Sequence, residues 1–155
     1  MSDYEIDITC DDGCEPYAGW QPQKTADLAD FLLQELKMAA GCDLSIAFIG
    51  EEHIAQLHVQ WLDEPGATDV MSFPMDELRA GDAQPGSLGD VAICGTVAAK
   101  QALEAGHPVS DEVELLLTHG VLHLLGHDHA EPEEHQLMFG LQASLLQKWR
   151  EGRSA

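Results

Sequence analysis

Strand-like and helix-like stretches alternate along this chain of 155 residues and predict one domain that combines β-strands with α-helices. Three observations carry that expectation. The length suits one hydrophobic core, and the apolar share of 45% fits a globular protein. Several short segments alternate, or run apolar between turn residues, as strands do. One helix, leading into a histidine cluster, is apolar on most sides and belongs at the centre of the fold.

From the N-terminus, Tyr4 to Thr9 (YEIDIT) alternates and reads as a strand. A loop follows through Pro16, Gly19 and Pro22. Thr25 is the expected cap of a helix whose apolar positions are Leu28, Phe31, Leu32, Leu36 and Ala39. Asp27 and Asp30 sit in its first turns, and Gly41 is its expected stop. Leu44 to Ile49 (LSIAFI) reads as a second strand, and Glu51 to about Leu62 as a second helix. Pro65-Gly66-Ala67 turns the chain into Thr68 to Pro74 (TDVMSFP), a short strand closed by proline. Residues 76–87 are acidic and contain Gly and Pro, so a mobile loop is expected. Leu88 to Cys94 (LGDVAIC) is a further strand, and Thr96 to Ala105 a helix ending near Gly106.

Pro108 and Ser110 introduce the central helix. Its Val113, Leu116, Leu117, Gly120, Val121 and Leu124 recur in steps of three and one, and Leu115, Leu122 and Leu125 fill much of the rest. Asp111, Glu112 and Glu114 complement its N-terminal dipole. The last helix is expected from Pro132 to about Trp149, with a stripe of Leu137, Leu141, Leu145 and Trp149.

The central helix runs into His119-Gly120-Val121-Leu122-His123-Leu124-Leu125-Gly126-His127-Asp128-His129. His119 and His123 lie one turn apart on one face, so both imidazoles can reach a single metal ion. Gly126 can take the left-handed conformation that ends a helix and turns His129 back toward the same ion. A lone histidine on an apolar helix is ordinarily a hydrogen-bonded core residue. That account must find a separate buried partner for each of these three, whereas one metal satisfies them all. An imidazole-only set favours zinc and leaves its fourth position open for water, as catalytic sites do. Zinc lowers the pKa of that water to roughly 7, which suits hydrolysis of amide or phosphodiester substrates.

Zinc peptidases of the H-E-x-x-H-x-x-G-x-x-H type share this spacing but need a glutamate where this chain has Gly120, so their general base is missing. His53, His58, His107 and His135 lack ligand spacing and are expected on the surface or in loops.

The net charge is −21, from 28 acids against seven dispersed bases, with no basic stripe of the kind nucleic-acid proteins carry. A solvated acidic surface is the expectation, and attraction to a basic partner such as a ribosomal protein is the alternative. Cys10, Cys14, Cys42 and Cys94 form no disulfide framework and are expected as free thiols. Cys10 and Cys14 have ligand-like spacing without a second pair. No apolar run is long enough to span a bilayer, and the acidic N-terminus is unlike a signal peptide, so a cytoplasmic location is expected.

His119 to His129 resembles the H-G-x-L-H-L-x-G-[HY]-D-H signature of the YbeY-type rRNA maturation endoribonucleases. Thr68 to Pro74 resembles that family's T-[DN]-V-L-S-F-P segment, and Leu88-Gly89-Asp90-Val91 its L-G-D-I strand, in the family's order. The resemblance implies a single α+β domain over residues 1–155, with a small mixed β-sheet packed with several helices. It implies one zinc ion per chain, held by His119, His123 and His129 on and after the buried central helix. It also implies a metal-dependent, single-strand-specific endoribonuclease in 16S rRNA 3′-end maturation and ribosome quality control.

One position departs from the family. Six residues before Thr68, where many members carry an arginine associated with holding RNA, stands Leu62, and no base lies between Lys37 and Arg79. The adjacent Trp61 is expected in the core by its bulk, with stacking on a base as the alternative.

For Ser72, Asp69 and Asp90 the choice lies between facing a cleft and local capping or turn hydrogen bonds. The sequence does not name the general base. Asp128 is a candidate for orienting a ligand histidine, and His127, with a reference pKa near 6.5, for moving a proton. Two rival functions remain: a non-catalytic zinc-containing assembly factor docking a basic ribosomal protein, and a metallohydrolase of peptides or small amides.

Overall fold

The alternating N-terminal segment forms strand β1 (Glu5–Cys10) in the computed structural model, which describes residues 3–11, 14–62, 68–128 and 130–154. Strand β2 (Asp43–Ile49) pairs parallel to β1 on one side and to β4 (Ser87–Cys94) on the other. Strand β3 (Val70–Pro74) runs antiparallel to β4, which gives a mixed four-stranded sheet in the order β1-β2-β4-β3. The expected turn at 65–67 lies outside the described residues, as does the side chain of Leu62.

Helix α1 (Pro22–Glu35) starts three residues before the expected cap. Pro22 opens it, because a missing N–H and a fixed φ suit the first turn. Thr25 is instead buried inside that turn, where its hydroxyl accepts a hydrogen bond from Trp20 Nε1 at 2.9 Å. The helix also stops before Ala39 and Gly41. Lys37 takes the left-handed conformation at φ 57°, Met38 N–H donates to Leu33 at 3.0 Å, and Lys37 N–H donates to Gln34 at 3.0 Å. That pair of bonds is a Schellman closure, sealed by the buried side chains of Leu33 and Met38. Gly41, at φ 98°, shapes the tight entry to β2.

Helices α2 (Glu51–Leu62) and α3 (Gly95–Ala105) follow β2 and β4 directly, and α3 ends on the left-handed Gly106 as expected. Residues 75–86 form no helix or strand. They are tied down all the same: Asp76 Oδ2 accepts from Ser87 N–H at 2.7 Å, Gly81 N–H donates to Leu36 at 3.0 Å, and Leu78 is buried.

Helix α4 (Val109–Leu124) is the buried central helix, with Leu117, Thr118, Val121 and Leu122 fully enclosed. It packs on β3 and β4 and is flanked by α1, α3 and α5 (Pro132–Ser154). Glu114 ties α5 to it, accepting from Trp149 Nε1 at 3.2 Å and from Arg150 Nη2 at 3.3 Å.

The buried face of α5 differs from the expected stripe. Leu137 is exposed, while Met138, Gln142, Leu145 and Leu146 point inward and Leu141 and Trp149 lie half-buried.

The larger core lies between the sheet and α1, α4 and α5, around Leu32, Leu44, Phe48, Leu117 and Met138. A smaller cluster of Ile49, Ile54, Met71, Ala92 and Cys94 fills the other face beneath α2. Tyr4 closes one end of the larger core, its hydroxyl donating to Met38 at 2.9 Å. Burial, then the charges of Asp3 and Asp30, push its pKa above the usual tyrosine value. All four cysteines are free thiols. No helix among the described residues is long and apolar enough to cross a membrane.

Candidate metal centre and cleft

Gly120 sets how closely α4 approaches the sheet. A Cβ there would stand 2.7 Å from Val91 Cγ1 and 3.3 Å from Ser72 Oγ. The Ser72 hydroxyl uses the same gap to donate to the Gly120 carbonyl at 2.9 Å. A glutamate cannot occupy this position without parting helix and sheet, so the peptidase base is excluded sterically as well as chemically.

His119 and His123 lie one turn apart, as their spacing predicts, with their Nε2 atoms 3.1 Å apart. Two imidazole nitrogens, each about 2.0–2.1 Å from one tetrahedral ion, stand roughly 3.3 Å apart. The observed separation is therefore compatible with a shared metal. The tautomer agrees. His119 Nδ1 lies 2.9 Å from Gln142 Oε1, and an amide oxygen only accepts, so Nδ1 carries the proton. Nε2 of His119 then presents the lone pair that a metal ligand needs. Phe139 packs beside this ring, at 5.6 Å between centroids.

His129 lies outside the described residues. Among the described residues no group of three or more His, Cys, Asp or Glu side chains gathers at metal-binding distance. Gly126, at φ 92°, makes the expected turn after α4, and its bare Cα faces the Arg79 guanidinium. His127 follows, half-buried, its N–H donating to Leu122 at 3.1 Å, and Asp128 is exposed. Neither is among the described residues lining the cleft that His119 and His123 line.

That cleft measures about 1100 Å³ and passes over the outer edge of β3. On the α4 side it meets the two imidazoles and Ser72; on the α2 side it meets Phe73 and Trp61. Strand alternation explains the division, since Ser72 and Phe73 point to opposite faces. Asp69 and Asp90 also line it. Asp69 serves its turn at the same time, accepting from Val70 N–H at 2.7 Å. No lysine or arginine lines the cleft among the described residues. Lys100, Lys148 and Arg150 instead pair with Glu51, Glu35 and Glu114.

Trp61 is not a core residue: it is 61% exposed. His53 is exposed and borders the cleft, His107 Nε2 lies 2.7 Å from Glu112, and His135 stacks on Phe139 at 4.4 Å. The residue that sequence reasoning missed is Gln142. Its only signal is its place in the row of Met138, Leu145 and Leu146.

The family model for endoribonuclease YbeY matches residues 20–150. A protein named endoribonuclease YbeY from Thermobifida fusca is 54% identical over 132 residues, covering 83% of this chain and 85% of its own. One of the same name from Acidothermus cellulolyticus is 50% identical over 135 residues, covering 82% of each. The solution structure of TM1509 from Thermotoga maritima shares the fold, with a TM-score of 0.63 at 22% identity, covering 96% of this chain and 92% of its own.

Proposed function

The chain belongs to the endoribonuclease YbeY family, and on that footing we propose that it is a zinc-dependent, single-strand-specific endoribonuclease of the cytoplasm, acting in 16S rRNA 3′-end maturation and ribosome quality control. The observation that carries this reading is the pair of Nε2 atoms 3.1 Å apart in a cleft, one of them held in the ligand tautomer by a buried amide.

His119, His123 and His129 would hold the ion. Zinc bound there supplies a nucleophile at neutral pH and a Lewis acid for a phosphoryl oxygen. The protein's own part is positional. Gln142 fixes the His119 ring, and Gly120 lets α4 lie against β3 so that the imidazoles face the cleft. Asp69 and Asp90 add polar groups to its wall. Asp128 remains the candidate to orient a ligand ring, and His127 the candidate to carry a proton.

The test is incubation of the zinc-loaded protein with a 16S rRNA 3′-end precursor, beside His119→Ala and His123→Ala. Cleavage by the parent alone, with zinc lost from both variants, is expected. Cleavage by a zinc-free His123→Ala protein would overturn the mechanism.

The charge of −21 and a cleft wall without described cations favour a second reading, a non-catalytic zinc-containing factor that docks a basic ribosomal protein. Salt-sensitive binding to such a protein, without RNA cleavage at any salt concentration, would favour it. A peptide hydrolase is disfavoured by Gly120.

A further inference from the structure

Along α2, Ile54 is fully buried, Leu57 is half-buried and Trp61, one turn further on, is 61% exposed. These positions share a helix face, so the face climbs from the smaller core out to the cleft. Phe73, on the neighbouring strand β3, braces the Trp61 ring edge-to-face, with centroids 5.8 Å apart and planes at 70°. The rest of Trp61 stays open at the mouth of the cleft that also holds His119 and His123. Of the three tryptophans, Trp20 and Trp149 pack against the larger core, and Trp61 alone leaves most of its surface in water.

A polyanion entering this cleft meets Asp69 and Asp90 and, among the described residues, no lysine or arginine. Side-chain cations of the described wall therefore supply no phosphate grip, whereas nucleobase stacking on an aromatic face carries no charge cost. We propose that Trp61, braced by Phe73, is a base-stacking subsite that grips one unpaired nucleobase of the RNA, in place of a cationic phosphate grip. The proposal rests on the ribonuclease reading. The strand then drapes over the edge of β3, its base on the α2 side and its backbone at the imidazoles. A paired base cannot turn a face to Trp61, so the subsite also selects single strands.

The experiment measures binding of the full chain to a fluorescein-labelled, cleavage-resistant 2′-O-methyl hexanucleotide and to the same oligomer with abasic sites. The proteins are the parent, Trp61→Ala and Trp61→Phe. Trp61→Ala should bind the base-bearing oligomer roughly 5- to 100-fold more weakly, with Trp61→Phe keeping most of the affinity. The abasic oligomer should bind the parent about as poorly as Trp61→Ala binds the intact one. The slope of log affinity against log salt should be the same for the parent and Trp61→Ala, because the indole ring neutralises no phosphate.

Unchanged affinity in Trp61→Ala, equal binding of the abasic oligomer, or a salt slope that changes in Trp61→Ala would each overturn the proposal. RNA cleavage that survives Trp61→Ala with unchanged KM would sink the subsite alone. A parent protein that neither binds nor cleaves any RNA would sink the ribonuclease reading with it.

Discussion

Replacing Gly120 by alanine adds one methyl group to the helix–sheet seam, and the structure sets two opposing terms. Alanine is a better helix former than glycine, which favours the variant by about 0.5–1 kcal/mol. The new Cβ would stand 2.7 Å from Val91 Cγ1 and 3.3 Å from Val91 Cγ2. Val91 is β-branched and fully buried, so it cannot swing aside. Overpacking of this kind costs about 1–3 kcal/mol, which leaves a net loss of roughly 0–2.5 kcal/mol, centred on about 1 kcal/mol. For a domain of this size the central value lowers Tm by roughly 2–4 °C.

Gly140 supplies the internal control. It lies in the exposed middle of α5 with nothing within 4 Å of its would-be Cβ, so Gly140→Ala should raise Tm by roughly 1–4 °C. Calorimetry of both variants in chelator-treated buffer separates packing from any ligand linkage. A Gly120→Ala protein stabilised as much as Gly140→Ala would refute the claim that this glycine sets the approach of α4 to the sheet.

Gln142→Leu should weaken zinc binding by roughly 10- to 100-fold in a chelator competition, while Gln142→Glu, which still accepts from His119 Nδ1, should keep it; equal affinities in all three proteins would remove Gln142 from the centre. Burial raises the pKa of Tyr4 and Tyr17 above the unfolded value. The folded chain therefore keeps protons that the unfolded chain releases, and the stability they contribute is intact below about pH 10 and lost as pH rises through the folded values. Urea midpoints taken between about pH 9 and pH 11 should fall less steeply in Tyr4→Phe than in the parent, and parallel slopes would refute it.

Much of the framework was legible because local signals agreed with tertiary ones. Helix α2 begins and ends where expected, between a glycine and the segment leading to Pro65, and α4 is central because its apolar residues leave it no exposed side. The misreadings have local causes. Thr25 and Gly41 are good cap and stop residues, but Pro22 and the Leu33–Met38 closure acted first, and nothing in a lysine announces φ 57°.

The buried face of α5 escaped because Gln142 reads as a surface residue. It turns inward only because His119 waits there, 23 positions earlier in the chain. Trp61 escaped for the opposite reason: bulk argued for the core, and only the fold shows that its helix has climbed clear of it. Of the site, the imidazole pair was legible from spacing alone, while its buried acceptor and the aromatic wall needed three dimensions.

The bond between His119 and Gln142 also couples the imidazole pair to the assembly of the fold. Gln142 stands on the last helix in chain order, so the amide that holds the His119 ring reaches it only when α5 seats on α4. Until α5 docks, the His119 ring has no amide to hold its orientation, and the flank of α4 that receives Met138 and Leu145 stays wet. The setting of the imidazole pair is thus tied to the packing of the last helix. Removing α5 would therefore strip the ring of its amide and the core of Met138 and Leu145 in a single step.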